Sequence, residues 1–175
     1  AEKTPFASDE ERKQKVAEAY FMRAVYYYNM VEQLGGVKLQ MAPVDNVDIH
    51  PGKDSPMDIY EKCIIPDLEF AAQWLPVEDR TTRPSKKSAM GMLARACLQS
   101  VEYDSSKKYV QRALEVAQEM INDCKAGGAA LGIYMYDNVE DVFDENNNFE
   151  NKEALWKHRW YAGSDGHGSS NGNYK

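Results

Sequence analysis

Residues 17–36 read AEAYFMRAVYYYNMVEQLGG, and their pattern decides the fold. Ala17, Phe21, Ala24, Tyr28, Val31 and Leu34 recur at spacings of three and four, so they share one face of an α-helix. Small alanines set between large rings suit close packing of a second helix on that face. The run stops at Gly35-Gly36, which supplies a C-cap because glycine takes left-handed backbone without a steric penalty. Upstream, Ser8 and Glu11 have the spacing of a capping box, so the helix is expected to start at Ser8 and reach Leu34. Tyr20, Tyr26, Tyr27 and Tyr28 read as core or helix–helix contacts rather than ligand platforms. Tyr26 and Tyr27 point off the apolar face, where a partner protein could meet them. Arg23 and Arg95 read as structural cations that pair with helix carboxylates.

The same periodicity continues outward. Ser55-Pro56 is an N-cap followed by proline at the first helical position, and Pro66 is expected to kink or restart that helix. Ile64, Leu68, Ala71, Ala72 and Leu75 keep helical spacing, and Pro76 stops it. A third helix is expected from Ser85, with Ala89, Leu93, Ala96 and Cys97 inward. A fourth is expected from Ser105 or Ser106, with Val110, Ala113, Leu114, Ala117, Met120 and Ile121 inward, ending near Gly127-Gly128. These make two helical hairpins, 9–75 and 85–125. The second has about the length of a tetratricopeptide repeat, without the strict Trp-Leu-Gly-Tyr signature. Residues 37–54 form a long connection of the kind that usually has a function. Past residue 128 the character changes. Val139 to Phe143 fits one helical turn, Asp144 to Asn151 a polar turn, and Glu153 to Tyr161 alternates like a short strand, with Trp156, His158 and Trp160 on one side. Residues 163–173 read as a loop, so the region 129–175 is loop and strand.

Composition narrows the function. The 175 residues carry a net charge of −7, with 43% apolar and 28% charged side chains. That balance argues against nucleic acid, which needs a basic footprint. The longest uncharged run, Ala126 to Tyr136, is far short of the roughly 20 residues of a membrane span. Ala1 to Arg12 is polar and lacks the apolar region of a signal peptide. A start on alanine and an end inside a Gly/Ser/Asn loop lead us to expect a partial chain with more protein on both sides. The cysteines, Cys63, Cys97 and Cys124, sit in apolar helical contexts and read as buried thiols. His50, His158 and His167 have no metal-ligand spacing, so no metal site is expected. The run Asp144-Glu145-Asn146-Asn147-Asn148 invites a calcium reading, but a count from Asp144 puts Phe149 and Leu155 where an EF-hand needs Gly and Glu. No cofactor is therefore expected, calcium being possible but unsupported. No phosphate loop, nucleophile elbow or Cys/His pair occurs, and nothing singles out a carboxylate pair for glycoside hydrolysis. No enzyme activity is therefore expected.

Several blocks, in order, resemble the SusD/RagB family of outer-membrane nutrient-binding lipoproteins. They are AEAYFMRAVYYYNMVEQLGGVKL (17–39), PMDIYEKCIIPDLEFAAQWLP (56–76), RPSKKSAMGMLARACL (83–98), VQRALEVAQEMI (110–121), YDNVEDVF (136–143) and NKEALWKHRW (151–160). Lys38 stands where the family usually has proline, and Met22 where it usually has leucine. The resemblance is to the middle portion of a member, one partial SusD-like domain over 1–175. It implies a mostly α fold of tetratricopeptide-like hairpins. It also implies a cell-surface location, with a lipid anchor outside this chain, and pairing with a SusC-like TonB-dependent transporter. The ligand it implies is an oligosaccharide, or in some relatives a peptide. A general helical-repeat scaffold for protein partners is the alternative from another class.

Sugar recognition needs flat apolar surfaces for the ring faces and polar side chains for the hydroxyls. Trp160, Tyr161, Asp165, Asn171 and Tyr174 have that composition on a loop, and are the candidate ligand-binding residues.

Overall fold

A computed structural model of the chain describes residues 5–43, 50–77, 83–147 and 151–157. The first helix, α1, spans Asp9–Leu34. Its N-cap Ser8 accepts the Glu11 N–H at 3.1 Å, and the Glu11 carboxylate reaches back to the Ala7 N–H at 2.9 Å. Gly35 closes it at φ 70°, with its N–H on the Val31 carbonyl. The next helix starts as α2 (Pro56–Ile59) from the N-cap Ser55, widens to a π turn (Tyr60–Ile64) and resumes as α3 (Ile65–Trp74). Pro66 explains the wide turn. Proline has no N–H to donate, and its ring crowds the carbonyl four residues back. The chain answers with an i→i−5 bond from the Ile65 N–H to the Tyr60 carbonyl. The restart expected at Pro66 is therefore a bulge within one continuous rod.

Helix α4 (Lys86–Gln99) starts at Ser85, whose N–H donates to the Ser88 hydroxyl at 3.2 Å. A 3-10 turn (Ser100–Glu102) leads toward α5 (Val110–Lys125), and a short α6 (Val139–Phe143) follows. In space, α1 packs on α3, α3 on α4 and α4 on α5, so each helix lies against its chain neighbour. This is helix-on-helix stacking in one layer of hairpins. Phe21, Val31, Tyr60, Ile64, Leu68, Leu93 and Val116 are fully buried between the helices. Each such side chain stabilises the fold by roughly 1.5–3 kcal/mol through burial. Among the described residues no helix is long and apolar enough to cross a membrane.

Two connections are fixed by buried or half-buried carboxylates. The start and end of the segment after α1 meet: the Asp54 N–H donates to the Val37 carbonyl at 3.0 Å, and the Asp54 carboxylate accepts the Leu39 N–H at 2.8 Å. Gly36 makes this approach possible, since a Cβ there would stand 2.5 Å from the Asp54 carbonyl oxygen. After α5, Asp123 accepts the N–H groups of Ala130 (2.8 Å) and Ile133 (3.1 Å), while its carbonyl takes the Gly128 N–H. Burial pushes this carboxyl up, but the backbone donors outweigh it and hold it below the ordinary range. The turn they organise delivers Leu131 and Ile133 to the core.

Several expectations change. Leu34 is 66% exposed, because the chain turns away at Gly35 before a neighbour can cover it. Tyr27 is half-buried: its hydroxyl accepts the Gln40 N–H at 2.7 Å and it packs on the core. Tyr26 is exposed, as the spacing implied. Helix α5 starts at Val110, not at Ser105 or Ser106. The Asp104 carboxylate takes the N–H groups of Ser106 and Lys108, and Lys107 sits at φ 55°, so these residues form a turn instead. Along α5 only Ala113, Val116 and Met120 of the apolar positions are buried; Val110, Leu114 and Ile121 are exposed. Residues 153–157 of the expected strand form bends, with both Leu155 and Trp156 against the helices. Two successive inward side chains do not fit strand alternation. Residues 158–161 lie outside the described residues.

Candidate functional site

The sequence-nominated residues Trp160, Tyr161, Asp165, Asn171 and Tyr174 all lie outside the described residues, as do His158 and His167. The segment that leads to them, 151–157, is described and is firmly seated. The Ser88 hydroxyl donates to the Leu155 carbonyl at 2.7 Å. The Lys87 ammonium, on a buried side chain, reaches the Lys152 carbonyl at 3.4 Å. Trp156 sets its ring edge-on to Phe21, with centroids 5.3 Å apart. Gly91 lets the strap lie close, because a Cβ there would meet Leu155 Cδ1 at 2.6 Å. Further along, the Asn151 amide donates to the Val142 carbonyl, and Glu153 accepts the Tyr136 N–H.

A groove of about 490 Å³ lies on a different side of α4, between α3 and α5. Pro66 and Phe70 give it apolar surface, and the almost fully buried Met90, Leu93 and Val116 also line it. Charged and polar side chains border it: Glu69 and Gln73 from α3, Lys86 from α4, Arg112 and Glu119 from α5. Glu69 and Arg112 form a two-point ion pair at 2.6 and 2.7 Å. That contact holds the Arg112 proton more tightly than usual. Phe70 also belongs to a ring row, 5.2 Å from Tyr20 and 6.4 Å from Trp74. The Lys13 ammonium caps the Trp74 ring at 4.0 Å, and the Arg23 guanidinium lies over Tyr20. Sequence reasoning missed this groove. Its ion pair joins residues 43 positions apart, and neither carries a local signal.

The other polar clusters are structural. Arg23 is paired with a helix carboxylate as expected, donating to both oxygens of Asp67. Arg95 instead donates to the Tyr28 hydroxyl at 3.0 Å. The Tyr60 hydroxyl donates to Glu32 at 2.8 Å, and burial, with the Glu32 bond and charge, raises its pKa. Burial and the nearby Asp67 charge push the Cys63 thiol up to about 12; burial pushes Cys97 up to about 11. Thiols so protonated are poor nucleophiles. Among the described residues no group of three His, Cys, Asp or Glu side chains could hold a metal ion. The first part of the calcium candidate is an Asx turn, in which Asp144 accepts both the N–H and the side-chain amide of Asn146.

Known proteins share this architecture. The family described as "Starch-binding associating with outer membrane" matches residues 2–98. A SusD-like protein P2 of Formosa agariphila is 30% identical over 142 residues, covering 80% of this chain and 26% of that protein. A SusD-like protein of Bacteroides ovatus is 29% identical over 157 residues, covering 87% of this chain and 27% of that one. A solved structure of a complex with a xylogluco-oligosaccharide aligns with a TM-score of 0.68 at 27% identity, over 88% of this chain and 30% of its own. The chain thus spans roughly a quarter to a third of the length of these relatives. With more than half of its residues matched to the family and its helices superposed on a solved neighbour, the chain belongs to the SusD-like family.

Proposed function

We infer that this chain is part of a cell-surface protein that captures oligosaccharide and passes it to a SusC-like TonB-dependent transporter in the outer membrane, without catalysis. The observation that carries this reading is the 27% identical neighbour bound to a xylogluco-oligosaccharide, which aligns over 88% of this chain. The helical hairpins are then framework for one larger domain, and a lipid outside this chain anchors it. The residue types of Trp160, Tyr161, Asp165, Asn171 and Tyr174 support the assignment of sugar contacts to them. Aromatic faces would stack on the rings, while the carboxylate and amide would take hydroxyls.

The test is calorimetric titration of the full-length protein with xylogluco-oligosaccharide and with maltooligosaccharides, beside a peptide pull-down. Binding of either glycan, weakened at least tenfold by Trp160→Ala, is the expected result. Retention of peptides with no glycan binding would replace glycan by peptide as the cargo. Hydrolysis of a bound oligosaccharide by the pure protein would overturn the non-catalytic assignment. Co-purification of a TonB-dependent barrel with the full-length protein tests the transporter partnership.

A further inference from the structure

We propose that the groove between α3, α4 and α5 is a second carbohydrate-binding position, shaped for one or two rings of a neutral oligosaccharide. The proposal rests on the glycan-capture reading above and adds a place on the helical framework, away from the 151–157 strap.

Three observations converge on this ligand. First, the groove holds about 490 Å³, within the range of about 300–1,000 Å³ that takes small ligands. Second, its walls are amphipathic in the manner of a pyranose. The half-buried Phe70 and the exposed Pro66 offer apolar surface to the C–H face of a ring. Carboxylate, amide and ammonium groups that can pair with hydroxyls line the same groove. Third, the rim is charge-balanced: Lys86 and Arg112 offset Glu69 and Glu119. Glu69 and Arg112 are already neutralised against each other at 2.6 Å, so neither calls for an ionic ligand. A phosphate, sulfate or uronate would meet two carboxylates, and a cation two basic groups. A neutral polyol meets donors and acceptors of both kinds. The ion pair also locks two of the wall side chains before any ligand arrives, which lowers the ordering cost of binding.

The strap lies elsewhere on α4. Its contacts are Lys87, Ser88 and Gly91, whereas Lys86, Met90 and Leu93 face the groove, and helical periodicity puts the two sets on different sides. Groove variants therefore leave the seat of the Trp160 segment intact.

The experiment uses the full-length protein with methyl-labelled methionine, the Met90 signal being assigned with Met90→Leu. Xylogluco-oligosaccharide is the neutral probe and tetragalacturonic acid the anionic one. The neutral probe is expected to shift the Met90 methyl saturably. Gln73→Trp, which fills the groove mouth from an exposed position, is expected to weaken that response at least tenfold, and Lys86→Ala about threefold. If the protein binds the neutral probe by calorimetry while Met90 stays still, or if Gln73→Trp changes nothing, the groove assignment falls and glycan capture stands. An equal Met90 response to tetragalacturonic acid overturns the neutral class. Failure of the full-length protein to bind any neutral oligosaccharide sinks both readings together.

Discussion

Asp67 on α3 accepts from Arg23 on α1 through both carboxylate oxygens, at 2.7 and 2.8 Å, and so ties the first two long helices at mid-height. Asp67 is buried, and the Cys63 thiol one turn earlier also donates to it at 3.6 Å. Asp67→Asn puts amide hydrogens against the guanidinium and leaves Arg23 without its charge partner. A loss of about 2–3 kcal/mol in urea unfolding is expected. Arg23→Met combined with Asp67→Leu should recover most of it, since an apolar pair of similar volume is nearly neutral. Equal losses in the single and double variants would show that the pair contributes nothing specific.

Gly36 and Gly52 make a matched comparison on the connection after α1. A methyl group at Gly36 meets the Asp54 backbone oxygen at 2.5 Å, and backbone cannot yield as a side-chain tip can. At Gly52 nothing lies within 4 Å. Gly36→Ala is expected to lower stability by about 1–3 kcal/mol, and Gly52→Ala to stay within about 0.5 kcal/mol of the parent. Thermal melts of both variants check this.

Gly91→Ala acts on the strap rather than on the fold. The new Cβ meets only the mobile end of the Leu155 side chain, at 2.6 Å. Alanine in mid-helix also gains about 1 kcal/mol of helix propensity over glycine. The melting temperature should hold or rise, while the indole signal of Trp156 moves as the strap lifts from Phe21. An unmoved Trp156 signal would mean that Leu155 absorbs the clash by itself.

Acid should loosen the turn after α5 before the helices. The Asp123 carboxyl is held below the ordinary aspartate value of 3.8, so its stabilisation is present above that value and fades as pH falls through the lower folded one. The amide proton shifts of Ala130 and Ile133 should titrate together, with a midpoint below 3.8. Asp123→Asn should show the low-pH shifts already at pH 7.

Cys63 and Cys97 are fully buried with raised thiol pKa values, whereas Cys124 is half-buried. Iodoacetamide at pH 8 is expected to label Cys124 in the native protein and to reach the other two only after unfolding. Peptide mapping by mass spectrometry reads this directly. Native labelling of Cys63 would contradict the packing of the π turn against α1.

The helices were legible because their signals are local. Ser8, Ser55-Pro56 and Ser85 mark starts, and Gly35 and Gly127 mark ends, all within a few residues of what they control. Where one side chain redirects backbone several residues away, sequence reading erred. Asp104 delays α5 by capturing Lys108, and Asp123 folds back Ala130 and Ile133; each looks like any acidic surface residue. The exposed row of Val110, Leu114 and Ile121 has the same periodicity as the buried one beside it, and only the position of α4 separates them. The groove was illegible for the same reason, since Glu69 and Arg112 meet only after two helices have packed on a third.

The wide turn at Tyr60–Ile64 has a geometric effect on everything after it. One residue of extra chain per turn offsets the following helix by about 100° relative to an unbroken α-helix. That offset aims Asp67 at Arg23 of α1 and sets Glu69 beside Arg112 of α5. Pro66 thus acts as a phase shifter: by forbidding one ordinary hydrogen bond, it decides which side of a single rod anchors the framework and which side is left to receive a guest.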